Sequence, residues 1–140
     1  MIIQCVPIQA CLDFLKGVHL AAHTYKIALF TSAASLDETY TTYTTPNEVT
    51  GAGYTAGGQV LTGATSGSDS GGGFLDFTDP TWPGSTITAR AAVIYNTSST
   101  PANRVIAIID FGSDKSSTAG DFTIAFPAPA SATAIIRAVN

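Results

Sequence analysis

His19 and His23 stand four residues apart, a spacing that on a helix aims two imidazoles at one metal ion. Gly17 ends the preceding helical pattern before either is reached, and no third ligand is near in sequence. Both are therefore read as surface or interface residues. Asp76 and Asp79 could pair for acid–base work or for calcium. The simpler reading is a strand end leading into Asp79-Pro80-Thr81-Trp82-Pro83, with Asp79 capping a turn. No convincing pair supplies the matched acid and base of a glycan hydrolase. Serine and threonine are plentiful, yet no GxSxG elbow is present, and both histidines fall in one segment.

Other motifs match by letters only. Gly51-Ala52-Gly53-Tyr54-Thr55-Ala56-Gly57-Gly58 has its third glycine one residue late for a dinucleotide fingerprint, and a strand pattern follows it instead of a helix. Asp110-Phe111-Gly112 matches the kinase magnesium tripeptide without the glycine loop and catalytic loop that would give it meaning. It reads as the end of a buried strand, with Gly112 and Asp114 beginning a turn. Cys5 and Cys11, six apart, have neither zinc-knuckle nor redox spacing. They read as two small buried hydrophobes, with a crosslink within or between chains as the sharper alternative. Asn96-Thr97-Ser98 is a glycosylation sequon in form alone. No catalytic residue, cofactor or metal is expected.

The elements around these residues are mostly strands. Residues 7–18 form the one helical candidate: Ile8, Cys11, Leu12, Leu15 and Val18 recur at spacings of three and four and build an apolar stripe. Pro7 suits the first helical position, and Gly17 suits the end. Apolar, β-branched and aromatic runs at 25–30, 87–95, 104–111, 122–126 and 134–139, with weaker ones at 58–65 and 73–78, predict about seven strands. Residues 66–72 read as a flexible hairpin tip. The expectation is an all-β fold, a single antiparallel β-sandwich or jelly-roll-like domain with one short N-terminal helix. The N-terminal segment and helix would occupy residues 1–20 and the sandwich residues 21–140. Its core would hold Ile27, Leu29, Val93, Ile94, Ile106, Ile108, Phe111, Phe122, Ile124 and Phe126, with Trp82 partly buried. Residues 32–57, rich in threonine and tyrosine, are too long for an idle loop and should make contacts.

Composition narrows the class further. The 140 residues hold six basic and ten acidic side chains, a net charge of −4, and are only 11% charged. Clustered lysine and arginine for binding nucleic acid are missing. No apolar run reaches the roughly 18 residues of a membrane span. The start of the sequence has no secretory pattern, so a soluble protein made in the cytoplasm is expected. A free sandwich must guard its edge strands, commonly with lysine. A surface of Thr, Ser, Ala and Gly favours cover by neighbouring subunits in a homo-oligomer.

Several stretches carry a resemblance. They are Tyr25-Lys26-Ile27-Ala28-Leu29-Phe30-Thr31-Ser32-Ala33-Ala34-Ser35-Leu36, the segment from Tyr43-Thr44-Thr45-Pro46 through Gly57-Gly58, and Phe77-Thr78-Asp79-Pro80-Thr81-Trp82. Ile87-Thr88-Ala89-Arg90-Ala91-Ala92-Val93-Ile94-Tyr95-Asn96, Asp110-Phe111-Gly112 and Phe122-Thr123-Ile124-Ala125-Phe126-Pro127 complete them. From about residue 12 onward the chain resembles a family of small virion structural proteins of tailed bacteriophages. The resemblance implies a non-enzymatic particle component, made in the host cytoplasm and located in the virion.

A capsid-surface decoration or cement protein, working as a homotrimer or similar oligomer and docking on other virion proteins such as the major capsid protein, is the first expectation. A neck or tail-fibre module that recognises host glycans through the Tyr/Thr-rich loop is the alternative. Neither nucleic acid nor membrane is an expected partner. The interface is expected at Ile2, Ile3, Val6, Ile8, Leu12 and Leu15, through a subunit contact or docking on the particle, with ordinary packing within the chain as the equal alternative, and at Tyr40, Tyr43 and Tyr54 of the loop.

Overall fold

A computed structural model describes residues 1–139 of the chain, so the last residue of the expected 21–140 sandwich lies outside the described residues. The elements run α1 (Ile8–Leu15), β1 (Tyr25–Phe30), β2 (Gln59–Val60), β3 (Thr65–Asp69), β4 (Gly72–Asp76), β5 (Thr81–Asn96), β6 (Arg104–Thr123) and β7 (Ile136–Val139). They form two antiparallel sheets, a four-stranded one in the order β2-β1-β5-β6 and a three-stranded one in the order β3-β4-β7. The expected all-β, sandwich-like domain with one short helix is what the chain adopts.

The long runs of the sequence become the four-stranded sheet because they are apolar on both faces. Residues 27–30 of β1 and 91–96 of β5 are buried without alternation, as in a strand covered on two sides. On one face Ile27, Leu29, Ala92, Ile94 and Ile106 meet Leu75 of β4 and Ile136 of β7, together with Phe77, Trp82, Phe122 and Ile124. On the other face Ala28, Phe30, Ala91, Val93, Tyr95, Val105 and Ile108 are covered by Ala34 and Leu36 of the long loop, with Ile2, Cys5, Tyr40 and Tyr43 packed against them. The loop and the N-terminal segment thus form a third layer.

Most of the expected core is found buried. Phe111 and Phe126 are half-buried and pack against its margin, while Trp82, at 5% exposure, is fully buried. The strand expected at 122–126 is partly the end of β6, which pairs Phe122 with Trp82. The expected hairpin tip at 66–72 is itself mostly strand: β3 reaches Asp69 and turns straight into β4 at Gly72.

The outer edge of β6 is guarded at its start by the chain itself. Tyr43 donates its N–H to the Asn103 carbonyl, Val105 to Thr41, and Cys5 and Ile108 exchange both backbone hydrogen bonds. Beside it, Ile2 bridges Leu36 in parallel. Pieces of loop and N-terminus therefore occupy positions that free sandwiches often protect with lysine.

Candidate functional site

The helix is shorter than its sequence pattern. Pro7 precedes it, with extended backbone, and Lys16 and then Gly17 at φ 70° end it. Its first N–H, from Ile8, donates to the Glu38 carbonyl at 2.9 Å, which satisfies one group that a helix start leaves open. The faces of the helix determine its role. Ala10 and Asp13, three residues apart on one side, are 0% and 3% exposed. Residues two positions apart point about 200° away from each other around a helix. The stripe of Ile8, Leu12 and Leu15 therefore turns outward, and these residues are 65%, 42% and 87% exposed.

Asp13 explains the inversion. Its carboxylate lies 3.4 Å from the Arg104 guanidinium at the start of β6 and 3.9 Å from His19, and Gln9 donates to it at 2.8 Å. Ala10 is small enough to let the helix sit close to the sheet. Turning the apolar stripe inward would carry Asp13 away from Arg104 and leave a buried guanidinium without its counter-charge.

Val6 is 38% exposed, and Met1, Ile3, Phe14 and Leu20 are also exposed. A groove of about 510 Å³ runs between α1 and the three-stranded sheet, lined by Val6, Cys11, Phe14, Leu15, Phe74 and Ile136 among others. Of the residues expected to contact a partner, Val6 and Leu15 line this groove, Ile3, Ile8 and Leu12 are exposed, and Ile2 is half-buried against the sheet.

The loop tyrosines are arranged differently. Glu48, 9% exposed, accepts hydrogen bonds from the hydroxyls of Tyr43 and Tyr54, both at 2.6 Å, and from the Gly57 N–H at 2.7 Å. The Tyr54 hydroxyl also accepts from the Leu29 N–H at 2.8 Å. Tyr43 stacks flat on Tyr95, with ring centres 4.3 Å apart, and Tyr95 donates to the Gly57 carbonyl. Burial, reinforced by the Glu48 hydrogen bond, raises the Tyr43 and Tyr54 phenols well above their ordinary value. Burial also pushes Tyr95 up to about 12. Tyr40 is half-buried, with its hydroxyl against Thr44. These tyrosines are spent on holding residues 40–58 to the sheet. Tyr40, Tyr43 and Tyr54 are all half-buried, so what they can offer outward is ring edge and face rather than the hydroxyls. The tight fit continues at Gly58, where a Cβ would collide with the Ile27 carbonyl oxygen.

The remaining motif residues are structural. Asp76 accepts from the Phe77 N–H, and Asp79 accepts from the distant Phe126 N–H at 2.8 Å, so the two carboxylates serve separate backbone groups and Asp79 ties two segments together rather than capping a turn. Asp110 takes a two-pronged contact from Arg90 and the N–H of Gly112; it pairs with Ala91, the register slips over residues 111–114 opposite Arg90, and β6 continues to Thr123 instead of ending here as expected. Asn96 is fully buried, so the sequon is closed to a glycan. Cys5 is half-buried and Cys11 exposed, and both are free thiols. This replaces the expectation of two buried residues, because Cys11 lies on the outward face of α1. His19 and His23 come together at Asn96, and His19 is buried rather than on the surface. No group of three or more His, Cys, Asp or Glu suited to a metal occurs among the described residues.

Sequence reasoning missed Asp13 and Arg104. Nothing in the helical periodicity marks a partner on a strand far along the chain; a lone carboxylate beside an apolar stripe was the available signal. No family model, curated protein or solved structure matches the chain.

Proposed function

We propose that this chain is a non-enzymatic structural protein of a tailed-bacteriophage virion, a capsid-surface decoration protein that acts as a homo-oligomer. The observation that carries the reading is the outward stripe of α1, with Leu15 87% exposed, above an apolar groove. Large apolar side chains exposed beside a groove of this kind on a small domain mark a protein–protein contact. The helix is fixed in that orientation by a largely buried ion pair, so the face is presented by the fold. The low charge of the surface suits cover by neighbouring copies and by a shell protein such as the major capsid protein. The sequence resemblance supplies the particle. The glycan-binding alternative draws little from the loop tyrosines, whose hydroxyls are engaged internally and of which Tyr43 also has one ring face stacked on Tyr95.

Cryo-electron microscopy of the intact particle tests the placement. Repeated density for this fold across the capsid surface, with α1 in the contacts, is expected. Density confined to the neck or tail would overturn the decoration reading.

A further inference from the structure

The connection between α1 and β1 is closed by a group of side chains that the assembly reading does not use. Asn96 at the end of β5 is fully buried. The Ser98 N–H donates to its side-chain oxygen at 2.9 Å, which fixes the amide orientation. Its nitrogen then lies 3.0 Å from His19 Nδ1 and 2.9 Å from His23 Nδ1. The two amide hydrogens match two imidazole acceptors, so each ring carries its proton on Nε2.

We propose that His19, His23 and Asn96 form an acid-sensitive latch that holds α1 and its connection to β1 against the ends of β5 and β6. Protonating either imidazole replaces the acceptor at Nδ1 by an N–H facing the Asn96 amide hydrogens, so a hydrogen bond becomes an opposition of donors. The His19 side chain is 0% exposed, and water cannot take over the lost bond.

The groups facing His19 come from every packed element. From α1, Asp13 lies 3.9 Å from its Nε2 and favours the charged ring, and the Phe14 ring packs at 4.9 Å. From β6, Arg104 opposes the charge and already holds Asp13 at 3.4 Å. From the connection itself, His23 opposes it when protonated. From β5 come the Asn96 donors. Burial outweighs Asp13 and lowers His19 below its ordinary 6.5.

The sign follows by linkage. An undocked segment takes up a proton near pH 6.5, whereas the docked one resists. Docking is therefore complete above that pH and weakens as pH falls from 6.5 through the lowered docked value.

Hydrogen exchange on the full chain, expressed as protection after correction for intrinsic rates, reads the latch directly. Between about pH 7.5 and about pH 5, residues 8–24 should lose protection while β1 and β5 keep theirs. The double variant His19→Gln/His23→Gln, which offers acceptors that do not titrate, should lose none. Unchanged protection in the wild type, or an equal acid loss in the variant, would overturn the proposal. If the variant does not fold, NMR titration of the wild-type rings decides: a His19 midpoint below 6.5 supports the latch, and one at or above it refutes it.

Discussion

The Asp13 carboxylate lies 3.4 Å from the Arg104 guanidinium, across the contact between α1 and β6. Gln9 and His19 close round the same carboxylate. This one pairing decides which side of the helix meets the sheet, and therefore which side is left exposed. Asp13→Ala should destabilise the chain by about 1–3 kcal/mol, because Arg104 is left largely buried and uncompensated. Chemical denaturation checks it; a change within error would mean the pair does not anchor the helix.

The second anchor is the carboxylate of Glu48. Tyr54→Phe removes a charge-assisted bond to Glu48 and also leaves the Leu29 N–H without its acceptor. Tyr43→Phe removes only its own bond to Glu48. Tyr54→Phe should cost about 2–3 kcal/mol and Tyr43→Phe about 1–2 kcal/mol. Equal losses in denaturant unfolding would count against the Leu29 contact.

What could be read from the sequence, and what could not, follows the physics of each signal. β1, β5 and the first half of β6 announce themselves as continuous Ile, Val, Ala and Phe runs, because both faces of the central sheet are dry. β3, with the sequence Thr-Ser-Gly-Ser-Asp, is exposed throughout and carries no hydrophobic pattern. It exists through pairing with β4 and through Asp69, which accepts from the Gly71 and Ser131 N–H groups. The α1 stripe was legible as a stripe, but periodicity says nothing about which face turns inward. The tyrosines of the long loop were legible as contact residues; that their contacts lie within the chain depends on Glu48, an acid that no motif singles out.

Core burial gives a direct stability test. Ile108 is 1% exposed between β5 and the N-terminal segment. Ile108→Ala should cost about 2–5 kcal/mol and lower the melting temperature. Trp82, packed edge-on against Phe122, should emit blue-shifted fluorescence that moves red in the same transition.

Alkaline titration tests the buried phenols. Burial pushes Tyr25 and Tyr95 up to about 12 in the folded chain, against an ordinary value of 10. A raised phenol favours the folded state fully below pH 10, and that contribution is lost as pH rises through about 12. Phenolate absorbance of these residues should therefore appear together with loss of the folded circular-dichroism signal. Full phenolate formation near pH 10 in a folded chain would contradict their burial.

The outward face of α1 is the centre of the account, and the mass of the protein in solution tests it most directly. Light scattering on the full chain should give a multiple of 14.4 kDa, and the Leu12→Glu/Leu15→Glu variant, altered at exposed positions alone, should fall to a single copy with an unchanged circular-dichroism spectrum. A full chain that stays a monomer at every concentration, or a variant that keeps the oligomeric mass, would contradict it.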